Sequence, residues 1–140
     1  MRIVLAADGS PYTKKALAFI TANESLCGPN DELIVVNVQM PIPPRVKTMV
    51  GTAAVTGYHE EEAAKVLKPI DKLLGRKGLN YRCEWSAGEP AQQIIKAVQK
   101  YKAQMIVMGT HGYGMLGRAV MGSVAQRVLH DADVPVLLVK

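Results

Sequence analysis

The chain has 140 residues, 49% of them hydrophobic and 21% charged, with a formal net charge of +5. That length suits one domain around one core, and the composition is that of an ordinary globule rather than a disordered chain. No apolar run approaches membrane-spanning length, so the cytoplasm is the expected compartment. The positive charge raises nucleic acid as a partner, but the lysines and arginines are spread along polar helix faces. One Trp and one Phe leave little for base stacking, which disfavours that class.

Taken in order, Arg2 to Ala7 reads as a first strand, cut by Asp8-Gly9. Ser10-Pro11 reads as an N-cap with proline at the first helical position. Ala16, Leu17 and Ile20 give that helix one apolar face, and Gly28-Pro29 follows its end. Cys27 and Cys83 lack C-x-x-C spacing and read as free buried thiols. Leu33 to Val38 is a second strand. Met40 to Gly57, with Pro41, Pro43, Pro44, Gly51 and Gly57, shows no period and is expected to be a long loop that is a lid, a binding loop or mobile. Tyr58 to Leu74 has helical spacing, with a kink or a restart expected around Lys65 to Pro69 and an end at Gly75 or Gly78. His59, beside Glu60, Glu61 and Glu62, is expected to decorate the start of that helix.

Leu79 to Ser86 alternates apolar and polar, which marks a strand with one wet face at or near a sheet edge. After Gly88-Glu89-Pro90, a helix carries Ala91, Ile94, Ile95 and Val98 on one stripe. Met105 to Met108 is a short unbroken apolar run, read as a buried strand. Gly109, Gly112, Gly114, Gly117 and Gly122 follow it. Ser123 to Gln126 matches an S-x-x-Q capping box, which makes Ser123 the expected N-cap of the next helix. Val134 to Val139 closes the chain as a last strand. Strand, glycine-rich loop and helix N-terminus together make a site for an anion.

Strands alternating with helices predict a single doubly wound α/β domain with a five-stranded parallel sheet and helices on both faces. An edge position for the third strand and central positions for the first and fourth give the order 3-2-1-4-5. Ligands in such sheets bind at the strand carboxyl ends beside the topological switch, here between the first and fourth strands. Asp8 and Gly109 sit just past those two ends. The acid has two readings: an Asx turn capping the first helix, or a partner for a ribose hydroxyl or a phosphate-bound metal.

Gly112 to Gly117 spells G-x-G-x-x-G, but the strand that follows has no acid at its end, so a nicotinamide or flavin site is excluded. The chain has no Walker-type G-x-x-x-x-G-K-[ST]. His111 has no Cys, Asp or Glu at ligand spacing, which disfavours a zinc site. Ser123 has no positioned base and reads as a phosphate contact rather than a nucleophile.

Gly109, Gly112 and Gly122-Ser123 together match G-x2-G-x9-G-[ST], and this chain resembles the ATP-binding universal stress proteins over essentially its whole length. Asp8 after the first strand and the V-P-V-L-L-V closing strand belong to the same resemblance. It implies that Ala6, Ala7, Asp8 and Val38 line the adenine and ribose side. Met108, Gly109, Gly112, Gly122, Ser123 and Val124 would then hold ribose and phosphates; His111 and Arg118 lie where they could touch ligand. It also implies ATP with Mg²⁺ as ligand, a homodimer built through Val136, Leu137, Leu138 and Val139, and a stress-response module with at most slow hydrolysis. The alternatives are a nucleotide-independent interaction protein and an ATP pyrophosphatase-like enzyme; the latter resembles S-G-G-x-D-S where this chain has Ala6-Ala7-Asp8-Gly9-Ser10. A valine at Gly109 or Gly122 is expected to block the phosphates and leave the fold intact.

Overall fold

A computed structural model describes residues 1–112 and 121–140. In chain order the elements are β1 (Arg2–Ala6), α1 (Pro11–Ala22), β2 (Glu32–Gln39), α2 (Pro44–Val50), α3 (Thr52–Lys77), β3 (Tyr81–Ala87), α4 (Pro90–Tyr101), β4 (Met105–Gly109), α5 (Ser123–Asp131) and β5 (Val136–Val139). The strands form one five-stranded sheet in the order β3-β2-β1-β4-β5, with every pairing parallel. This is the order expected from the one-sided third strand and the apolar first and fourth.

The period of two along each strand splits the core into halves. Ile3, Leu5, Leu33 and Val35 face Ala16, Leu17 and Ile20 of α1 and Ile70 and Leu74 of α3. Val4, Ile34, Val36 and Ile106 face Ala91, Ile94, Ala97 and Val98 of α4 and Ala125 and Val128 of α5. Ile3, Val4, Leu5, Leu33, Ile34, Ile106 and Val107 are wholly buried, which accounts for the lack of polar alternation in these strands.

The two edges of the sheet differ. Arg82 of β3 bonds Glu32 through Nε at 2.7 Å, and Arg2 approaches the same carboxylate at 3.4 Å. Lys100 reaches Glu84 at 3.0 Å, and Tyr101 donates to that carboxylate as well. The β3 edge is therefore laced with charge. On β5, Val136, Leu137, Leu138 and Val139 are each half-buried, and the strand has no ionisable side chain.

Four local expectations are corrected. Met40 to Gly57 is largely helical: Pro44 opens α2, where its missing N–H costs nothing, and Gly51, at φ 88°, joins α2 to α3. Since α2 buries no residue, it carries no apolar period to read. Second, α3 runs through Pro69 as one helix, with the proline exposed, and ends at Gly78 in the left-handed region. Third, Ser123 is not an N-cap. Gly122 holds that position at φ −71° and ψ 157°, fixed by its N–H donating to the Thr110 carbonyl at 2.7 Å. Gln126 correspondingly bonds the Met121 carbonyl instead of closing a capping box. Fourth, His59 is 5% exposed and does not decorate a surface.

Cys27 is buried and Cys83 half-buried, both as free thiols. Burial pushes the Cys83 thiol up to about 11, with the nearby charge of Asp71 adding to it. Among the described residues no helix is long and apolar enough to cross a membrane.

Candidate functional site

The site is built on the carboxyl ends of β1, β2 and β4. Parallel strands end at a common level, and the chain leaves β1 and β4 toward opposite faces, which opens a crevice between them. A cavity of about 330 Å³ occupies it, within the range of small-ligand pockets. Of the site residues expected from sequence, Ala6, Ala7, Asp8, Val38, Met108, Gly109, His111, Gly112, Gly122, Ser123 and Val124 all line this cavity. Arg118 lies outside the described residues. Thr13, Val36, Met40, Pro90, Ile94, Thr110 and Ala125 complete the lining and were not singled out from sequence. Thr13 had a readable signal, since it stands three residues after the N-cap Ser10. Ile94 and Val36 looked like plain core positions, and nothing in the sequence set them apart.

The walls divide by chemistry. Val36, Val38 and Met40 from β2 and its exit, with Pro90 and Ile94 from α4, make an apolar end. Asp8, Thr13, Thr110, His111, Gly112 and the first turn of α5 make a polar end. Three helix N-termini border the cavity, those of α1, α4 and α5, and they are not equivalent; at α1 the Ser10 side chain is the cap. At α4 the Glu89 carboxylate accepts from the N–H groups of Ala91 at 3.3 Å and Gln92 at 2.8 Å. That terminus is satisfied and already holds a negative charge. Among the described residues no side chain caps α5, so its first turn presents backbone donors and a positive dipole end to the cavity.

Asp8 serves the fold and faces the cavity at once. Its Oδ1 accepts from the Ser10 N–H at 2.8 Å and from the Thr13 hydroxyl at 2.9 Å, while the Asp8 N–H donates to Thr13 Oγ1 at 3.0 Å. That is an Asx turn leading into α1. Ser10, as N-cap, accepts from the Thr13 N–H at 3.4 Å. The other carboxylate oxygen, Oδ2, turns toward Gly112, where a Cβ would lie only 2.6 Å from it. Gly112 is glycine because the loop must pass against the acid.

Gly109 has a different reason for being glycine. A Cβ there would sit 2.4 Å from Tyr12 Cβ and 3.3 Å from the Tyr12 carbonyl carbon, so its bareness lets α1 lie against the end of β4. The expectation that valine at Gly109 spares the fold is therefore wrong; the clash is with α1. At Gly122 the nearest atom is the Thr110 carbonyl oxygen at 3.3 Å, a tighter fit than usual but not a collision. His111 tilts against the Tyr12 ring, centroids 5.0 Å apart, with Nδ1 2.8 Å from Thr110 Oγ1. Among the described residues no Lys or Arg lines the cavity, and none group as three His, Cys, Asp or Glu fit for a metal ion.

A doubly wound sheet with a half-apolar, half-polar crevice at its switch point defines the class of α/β fold. The chain belongs to the Universal stress protein family, whose model matches residues 1–140. A universal stress protein of Thermus aquaticus is 35% identical over 138 residues, 99% of this chain and 97% of that protein. One from Methanocaldococcus jannaschii is 42% identical over 81 residues, 58% of this chain, a match that spans about half (48%) of that relative. Among solved structures, that of hypothetical protein MJ0577 superposes with a TM-score of 0.84 at 27% identity, covering 99% of this chain and 94% of the other. The universal stress protein of Archaeoglobus fulgidus in complex with dAMP gives a TM-score of 0.71 at 24% identity, covering 100% and 98%, and shares the fold.

Proposed function

We propose that this chain is a cytoplasmic, ATP-binding module of the stress response, a nucleotide-dependent switch rather than an enzyme built for turnover. The observation that carries the reading is the pairing of an apolar cavity end with an uncapped helix N-terminus at the other. Adenine suits the wall of Val36, Val38, Met40 and Ile94, and phosphates suit the first turn of α5, where backbone donors and the dipole act together. The charged cap of α4 by Glu89 disfavours the reverse orientation. The relative bound to dAMP supports the adenine class. The turn of Asp8 Oδ2 toward Gly112 supports its use for a ribose hydroxyl or for Mg²⁺ riding on the phosphates; a single carboxylate suits a metal held mainly by its nucleotide.

The same reading makes a second copy the partner of β5, whose outer backbone edge has no strand beside it among the described residues. The test is to denature freshly purified protein, analyse the supernatant by anion-exchange chromatography, and titrate stripped protein with ATP and Mg²⁺ by calorimetry. Co-purifying nucleotide or micromolar affinity is expected. The absence of both co-purifying nucleotide and measurable binding overturns the proposal.

A further inference from the structure

His59 is among the few buried polar side chains, and it is far from the glycine segment in sequence. Its Nε2 lies 3.1 Å from the Met40 carbonyl oxygen. A carbonyl only accepts, so this bond exists with the proton on Nε2. The ring also packs near Trp85 of β3, with centroids 5.9 Å apart. A helix inserting a polar ring to meet one backbone carbonyl calls for a reason, and Met40 supplies it.

The ladder between β2 and β3 ends one residue earlier, where the Gly88 N–H donates to the Gln39 carbonyl at 3.0 Å. Gly88, at φ 154°, then turns β3 away. Beyond Met40 come Pro41, Pro43 and Pro44, three residues without an N–H to offer. Met40 itself is 66% exposed, so packing alone does not hold it. It nevertheless lines the apolar end of the cavity.

We infer that His59 is a positioning residue for the ligand site: its bond to the Met40 carbonyl takes over where the sheet ends and sets Met40 as a wall of the base-binding end. This inference rests on the adenine-nucleotide reading for its functional consequence, though the positioning itself is measurable without ligand. Glutamine carries its Nε2 the same number of bonds from Cα as histidine, so His59→Gln keeps the donor and His59→Leu removes it.

Two readouts separate the questions. In the ligand-free protein, the ¹³C-methyl resonance of Met40, identified through Met40→Leu, is expected to move toward the position of an unrestrained methionine in His59→Leu. In His59→Gln it should stay near the wild-type position. By calorimetry, His59→Leu is expected to weaken adenosine and ATP alike by about fivefold, the worth of one hydrogen bond, while inorganic tripolyphosphate binding is unchanged. His59→Gln restores both. An unmoved Met40 methyl in folded His59→Leu overturns the inference whatever the ligand affinity. A moved methyl in a protein that binds no adenine nucleotide upholds the positioning and overturns the nucleotide reading. Should His59→Leu fail to fold, Met40→Ala removes the positioned side chain directly; unchanged adenosine affinity there overturns the inference.

Discussion

Asp8 bears two roles on two oxygens, and one substitution separates them. In Asp8→Asn the carbonyl oxygen takes the place of Oδ1 and keeps the bonds from the Ser10 N–H and the Thr13 hydroxyl, 2.8 and 2.9 Å in the native protein. The turn into α1 survives, so folding stability is expected to change by less than about 0.5 kcal/mol. At Oδ2 an amide replaces half of a carboxylate, and a charge-assisted bond is worth about 1–2 kcal/mol more than a neutral one. Affinity for ATP with Mg²⁺ is therefore expected to fall about 5- to 30-fold. Asp8→Ala is the contrast. It also deletes both Oδ1 bonds and is expected to cost about 1–3 kcal/mol of stability. Urea denaturation gives the stabilities and calorimetry the affinities. Unchanged or tighter ATP binding by a stable Asp8→Asn would show that the acid serves only the turn and refute its role as a ligand group.

Gly109→Ala places a methyl 2.4 Å from Tyr12 Cβ and is expected to destabilise by about 1–3 kcal/mol, read from the urea midpoint; a change below about 0.5 kcal/mol would refute the packing account. Leu138→Pro tests the β5 edge. The carbonyls of Pro135 and Val139 accept from β4, so alternation points the Leu138 N–H outward, and proline removes that donor without cutting the ladder. A lysine would be less clean, because the Leu138 side chain packs on the core. Sedimentation is expected to shift from dimer toward monomer, and an unchanged mass refutes the strand-mediated dimer. Cys83, pushed up to about 11 by burial, stays protonated when an unfolded thiol near 9 has ionised. The folded state then holds more protons than the unfolded one, so stability falls as pH rises from about 9 to 11. A wild-type slope no steeper than that of Cys83→Ser would refute this.

Strand order and the crevice were legible because burial writes directly into sequence. Unbroken apolar runs at Ile3–Ala7 and Met105–Met108 pointed to central strands and the alternation through Tyr81, Cys83 and Trp85 to an edge, although the equally unbroken Val136–Val139 lies at the other edge. The glycine spacing located the polar end for a similar reason, since close backbone approach tolerates few residues. What escaped was whatever depends on a partner distant in sequence. Gly109 looked like a ligand glycine because Tyr12, the atom it avoids, is visible only once α1 is laid on β4. His59 looked like a surface residue beside three glutamates because its partner is the backbone of Met40, and a carbonyl has no sequence signature. Residues 44–50 looked like loop because a helix that buries nothing leaves no pattern.

The unlike edges of the sheet also bear on how large an assembly can grow. A strand edge is a docking surface for any other open edge, and a chain with two of them can add copies without end, as fibrils do. Here β3 carries Arg82 and Glu84, paired with Glu32 of β2 and Lys100 of α4, and these charges would have to be stripped of water before another strand could pack alongside. Among the described strands, β5 is the permissive edge. On the proposed pairing through β5, one permissive edge per chain limits strand addition to a single two-fold contact, and such an assembly stops at two copies.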